Sequence, residues 1–108
     1  MTVNELCTAL GATAVCMPSG EREVTGAYVG DLLSWVMGRA PADSAWVTIM
    51  SNINVAAVAS LADVACVILA EGVVLDDNAY EKATREGINI ISVQSAAYEI
   101  CAAISRLL

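Results

Sequence analysis

The stretch Ala45–Ser92, AWVTIMSNINVAAVASLADVACVILAEGVVLDDNAYEKATREGINIIS, decides the fold. Ala45–Met50 is rich in β-forming residues, and Asn54 is placed to cap a helix of small residues over 55–62. Residues 63–69 then read as a buried strand. Asp76 and Asp77 sit where acidic residues favour the positive end of a helix, with Tyr80 and Ala83 expected on its inner face. Glu81 and Arg85 are spaced as an exposed i,i+4 pair, Gly87 closes the helix, and 88–92 give another strand. The runs at 64–69 and 88–92 are apolar without alternation, the pattern of strands covered on both faces. Repeated strand–helix units predict an α/β fold: a single-domain, parallel-sheet βαβ sandwich with right-handed crossovers.

Outward from this core, Thr2-Val-Asn-Glu5 forms a capping box, Val3, Leu6, Cys7 and Leu10 follow helical spacing, and Gly11 suits a left-handed exit. A strand is expected at 12–17, stopped by Pro18-Ser19-Gly20, and another at 23–29. Asp31 lies near the start of a helix covering Leu32, Leu33, Val36 and Met37, which Gly38 and Pro41 end. Ser95 is placed to cap the last helix, whose stripe is Ala97, Ile100, Cys101, Ile104 and Leu108.

Composition narrows the function. The chain has 108 residues, one domain's worth, with 57% hydrophobic residues, 16% charged residues and a net charge of −7. Its mean hydropathy of +0.64 is that of a folded domain rather than a disordered tail. The five basic residues, Arg22, Arg39, Lys82, Arg85 and Arg106, are scattered, so there is no stripe to engage nucleic acid. The absence of histidine removes most catalytic triads and His-ligated metal sites. The longest nearly apolar stretch, Val55–Ala70, is 16 residues and carries Ser60 and Asp63, short of the roughly 20 that a membrane span needs. The opening residues carry no signal-like pattern, so a cytoplasmic protein is expected. Cys7, Cys16, Cys66 and Cys101 form no Cys-x-x-Cys pair and read as reduced core thiols, with no metal or cofactor expected. The apolar surplus in so small a domain points to a homodimer, with Trp35 and Met37 as candidates for its surface.

Ligands of open parallel sheets bind beyond the carboxyl ends of the strands. Here those ends supply Ser51, Asn52 and Asn54, then Glu71 and Gly72, then Gln94 and Ser95. Amides, hydroxyls, one carboxylate and helix N-termini could hold a polar or phosphorylated ligand. Alternatively, Asn54 and Ser95 only cap helices and Gly72 only makes a turn. Gly26-Ala-Tyr-Val-Gly30 lacks the dinucleotide fingerprint, and there is no P-loop, so a kinase reading has no support. Capping explains Asp76 and Asp77 without a metal. No catalytic residue stands out; Asp31 and Glu71 are the acids that a small enzyme would use.

Val24–Gly38, Trp46–Met50, Asn54–Asp63, Val67–Gly72 and Gly87–Ile100 together resemble stand-alone DRTGG-domain proteins, over about residues 3–107. The resemblance implies a fold similar to the N-terminal, non-kinase domain of HPr kinase/phosphorylase. It also implies a regulatory and subunit-associating role, with adenine nucleotides sensed near the module in some architectures. Small stand-alone members often accompany iron-hydrogenase or other redox complexes. The family's Asp-Arg position falls in Ser51-Asn52-Ile53-Asn54 and its Thr-Gly-Gly at Ala70-Glu71-Gly72, so this chain keeps only Gly72 of the signature. The lost Arg removes a bidentate partner for phosphate. The leading expectation is a non-catalytic regulatory domain with a strand-end ligand pocket. Its rivals are a ligand-free partner module of a redox complex and, last, a small enzyme.

Overall fold

A computed structural model describes residues 1–108. The capping box forms as the spacing requires: the Glu5 amide donates to Thr2 Oγ1 at 3.1 Å and the Thr2 amide to Glu5 Oε1 at 2.8 Å. It opens α1 (Val3–Ala9), which Gly11 leaves at φ +62°. The chain continues through β1 (Thr13–Cys16), β2 (Gly26–Val29), α2 (Leu33–Arg39), β3 (Ser44–Thr48), α3 (Ile53–Ala62), β4 (Cys66–Leu69), α4 (Asp77–Glu86), β5 (Ile90–Ser92) and α5 (Ala97–Leu107).

The sheet order is β1-β5-β4-β3-β2, parallel from β2 through β5. Each crossover from β2 to β5 steps to the adjacent strand in one direction, which places α2, α3 and α4 on one face. The period of two along β3 shows both cores at once. Trp46 points into the layer of Val36, Val55, Ala59, Ala79 and Ala83, while Ala45 and Val47 point at Val3, Leu6, Ile100 and Ile104 from α1 and α5. Every residue of β3 and β4 is buried, as continuous apolar strands under two helical layers must be.

The sheet is not wholly parallel: β1 runs antiparallel on the outer side of β5. This direction delivers the chain to the amino ends of the parallel strands. Residues 17–25 then cross that whole end to reach β2 on the opposite edge. The crossing strap is pinned along its length. Asn89 accepts from the Ser19 amide at 2.9 Å and donates to the carbonyls of Ser19 and Ala65 at 2.8 and 3.0 Å. Arg22 reaches Asp43 at 2.8 Å and Asp63 at 2.9 Å, both residues being left-handed at φ +64° and +57°.

Several local expectations are corrected. The helix cap is Asn52, whose side chain accepts from the Asn54 amide, so α3 starts before residue 55. Asp63 closes α3 and is not in a strand. Asp31 lies just before α2, as expected, but its carboxylate is used elsewhere: it accepts from Thr48 Oγ1 at 2.7 Å and the Ile49 amide at 3.0 Å, tying the end of β3 to the chain after β2. Gly38 does not end α2 but lies inside it, the helix running on to Arg39. Asp76 holds the N-cap position of α4 without a side-chain cap, and Ala96, not Ser95, holds that of α5. Ala79 and Ala83 form the inner face of α4, leaving Tyr80 46% exposed, and the ion pair on α4 is Lys82–Glu86 at 3.5 Å, not Glu81–Arg85. Leu108 lies outside the buried stripe of α5. No helix is long and apolar enough to cross a membrane.

Candidate functional site

The carboxyl ends of β3, β4 and β5 carry the seven strand-end residues singled out above, and backbone bonds stitch their loops together. The Asp76 amide donates to the Ser51 carbonyl at 3.0 Å, the Glu71 amide to the Ser95 carbonyl at 2.8 Å, and the Gly72 amide to the Val93 carbonyl at 3.0 Å. Glu71 and Gly72 both take left-handed conformations, φ +58° and +67°, turning the chain sharply after β4. The turn lets the Gln94 side chain lie over the loop: a Cβ on Gly72 would stand 2.5 Å from Gln94 Oε1. Glycine suits 72 by its φ, and a side chain there would also have to displace the end of Gln94.

A cavity of about 370 Å³ opens beside this turn, between the loop after β4, the start of α4 and the β1–β5 edge. Its size falls in the roughly 300–1,000 Å³ range of small-molecule pockets. Of the seven residues, Gly72 and Gln94 line it. Ser95 lines a smaller hollow of about 130 Å³ with Glu99 and Ile100. Ser51, Asn52, Asn54 and Glu71 line neither. The seven are thus brought to one end of the sheet but not into one pocket.

The sequence reading missed the other walls. Thr13 and Ser92 are directly opposite each other across the β1–β5 ladder, so they share a face of the sheet. Their inclusion depended on β1 pairing with β5, which no local pattern announces. Asp77 and Tyr80, noted only as helix-opening and inward-facing residues, come from the first turns of α4. Val73 and Val74 complete the rim, Val74 being 83% exposed.

Elsewhere the chemistry is sparse. No three His, Cys, Asp or Glu side chains converge as a metal site. All four cysteines are free, and burial pushes the Cys66 thiol up to about 12 and those of Cys7 and Cys101 in the same direction. Asp31 is held by hydrogen bonds to the end of β3, and Glu71 is exposed on its turn; neither lines the cavity.

Among solved structures that share this architecture, one covers nearly all of the chain. It is the regulatory region, CBS and DRTGG domains, of a Clostridium perfringens pyrophosphatase in complex with its activator diadenosine tetraphosphate. The two superpose with a TM-score of 0.77 over 99% of this chain at 13% identity, and the chain spans 47% of that one. The likeness supports a DRTGG-like fold. No family model and no curated protein matches the sequence.

Proposed function

We propose that residues 1–108 form one DRTGG-like domain, similar to the N-terminal non-kinase domain of HPr kinase/phosphorylase. In this reading it is a non-catalytic, cytoplasmic regulatory module, working as a homodimer. It senses an adenine nucleotide or another small phosphorylated ligand at the carboxyl end of the sheet. The observation that carries the reading is the shared fold with a regulatory region whose activator is diadenosine tetraphosphate. The cavity at the strand ends adds a place of suitable size.

The test is thermal melting with AMP, ADP, ATP and diadenosine polyphosphates. A ligand at a hundredfold its Kd stabilises by about 2.7 kcal/mol. At roughly 4–8 °C per kcal/mol for a domain of this size, the midpoint rises by about 10–20 °C. Gln94→Ala reduces that shift; a flat panel refutes adenine-nucleotide sensing.

A second reading, a ligand-free module that binds a protein partner in a redox complex of hydrogenase type, is favoured by the exposed apolar side chains. Leu32 and Trp35 at α2, with Ile53 at the start of α3 on the same side of the sheet, are all at least 37% exposed. The homodimer would use the same patch. Sedimentation separates the cases: a dimer that Trp35→Lys dissociates supports self-association, whereas a monomer at tens of micromolar leaves the patch for another protein.

A further inference from the structure

We infer that the cavity between the Gly72 turn and the β1–β5 edge takes the uncharged, amino-bearing heteroaromatic base of a nucleoside-sized ligand, and excludes phosphate. The inference deepens the ligand-sensing reading and rests on it.

The cavity gathers five polar side chains from four segments: Thr13 of β1, Asp77 and Tyr80 of α4, Ser92 of β5 and Gln94 after it. None of the five makes a side-chain hydrogen bond or ion pair within the protein. At the other end of the sheet, by contrast, Asn89 and Arg22 are fully engaged. Two hydroxyls, a phenol, an amide and a carboxylate therefore line one space without protein partners, all but Ser92 belonging to solvent-exposed residues and so free to exchange water for a ligand.

The kind of ligand follows from their chemistry. A carboxylate accepts from an exocyclic amino group, and a glutamine amide can both accept from such a group and donate to an adjacent ring nitrogen. Val15, Val73 and Leu75 supply aliphatic walls, and Tyr80 an aromatic one, against which a flat ring can pack.

Phosphate is disfavoured by the same residues. None of the five basic side chains lines the cavity, and three are engaged elsewhere: Arg22 with Asp43 and Asp63, Lys82 with Glu86, Arg39 stacked on Trp35. Asp77 places a negative charge in the first turn of α4, where a phosphate would otherwise meet the helix dipole. A unit-charge repulsion at about 4 Å, screened as in water, corresponds to roughly a fivefold loss of affinity. The phosphates of a bound nucleotide must then lie outside, in solvent.

Titration calorimetry of the full chain with adenosine, cytidine, uridine, AMP, ATP and inorganic tripolyphosphate tests this. The expected result is that adenosine or cytidine binds more tightly than uridine, and adenosine at least as tightly as AMP and ATP, with no heat from tripolyphosphate. Tyr80→Ala, at a half-exposed position, weakens the nucleoside at least about fivefold, measured where the unliganded variant is still folded. Asp77→Asn brings the adenosine-to-AMP affinity ratio toward one. Affinity that rises with each phosphate and survives Tyr80→Ala overturns the inference while leaving nucleotide sensing intact. Silence from every nucleoside and nucleotide overturns the inference and, with it, the adenine-nucleotide form of the ligand-sensing reading.

Discussion

Replacing Asn89 by alanine removes the fastening of the strap that closes the amino end of the sheet. Asn89 is 2% exposed, and its side chain makes three hydrogen bonds, two to the Ser19 backbone and one to the Ala65 carbonyl. At about 1 kcal/mol each, their loss amounts to roughly 3 kcal/mol. The Ser19 amide is left without a protein partner, because Asn89 is its acceptor; the Ser19 carbonyl keeps a second donor, the Arg22 amide at 3.1 Å. A domain of this length has a total stability of about 5–15 kcal/mol, so the change removes a large fraction of it. The assay is urea unfolding followed by Trp fluorescence. The midpoint falls while the slope is unchanged, since the surface exposed on unfolding is the same. Asn89→Asp is at least as damaging: its carboxylate can still accept from Ser19 but cannot donate to either carbonyl. Hydrogen exchange adds a local readout, with protection at the Ser19 amide lost. A loss below about 1 kcal/mol for Asn89→Ala, or an Asp variant as stable as the parent, would show that the strap does not depend on this amide.

Arg22→Ala lowers stability by about 1–2 kcal/mol, because it frees two carboxylates at left-handed positions on a partly solvated surface; the unfolding midpoint of Arg22→Ala at low and high salt checks this, the deficit shrinking with salt. Asp31→Ala loosens the junction between β2 and β3, whereas Asp31→Asn keeps an acceptor for Thr48 Oγ1 and the Ile49 amide and restores much of the loss of about 2 kcal/mol; equal damage from both would place the effect in the charge instead. Burial raises the Cys66 thiol from 9.0 to about 12, so the folded state holds its proton after the unfolded state has lost it. Stability therefore falls as pH rises from about 9 towards 12, by up to roughly 4 kcal/mol, and the fall is shallower in Cys66→Ala when urea midpoints are compared across that range. Identical slopes would mean that the thiol titrates alike in both states.

The elements were legible where a single signal decided them. The capping box of α1, the left-handed Gly11 and Gly87, and the unbroken apolar runs of β4 and β5 are all determined within a few residues of chain. The errors fall where two neighbouring residues could do the same job and tertiary contacts chose between them. Asn52 and Asn54 are both capable caps, and Asn52 takes the role. Asp31 stands just before α2, but the hydroxyl of Thr48 and the Ile49 amide, 17 and 18 residues away, draw its carboxylate to β3. The end of the sheet that holds the cavity followed from a general rule about parallel strands, which is why Gly72 and Gln94, which line it, could be named from the sequence. Thr13 and Ser92 could not be, because their meeting depends on an antiparallel pairing between residues almost 80 positions apart.

The two ends of the sheet spend their polar groups differently. At the amino end, the buried amide of Asn89 and the guanidinium of Arg22 are consumed in holding the strap, and two aspartates accept left-handed geometry there. Polar groups used in this way raise the cost of opening that end and leave nothing to offer a ligand. At the carboxyl end the loops after β4 and β5 are held by backbone bonds, from Asp76 to Ser51, Glu71 to Ser95 and Gly72 to Val93, while Asp31 and Asn52 fasten the loop after β3. With the fastening done by these groups, Thr13, Asp77, Tyr80, Ser92 and Gln94 line the cavity without side-chain bonds to the protein. Substitutions at these five should therefore change ligand affinity with little effect on folding, whereas those at Asn89 and Arg22 should do the reverse. Parallel ligand titrations and urea unfolding of Gln94→Ala and Asn89→Ala check this. If Gln94→Ala loses as much stability as Asn89→Ala, the carboxyl end is part of the fold's fastening too, and the separation between a structural end and a binding end fails.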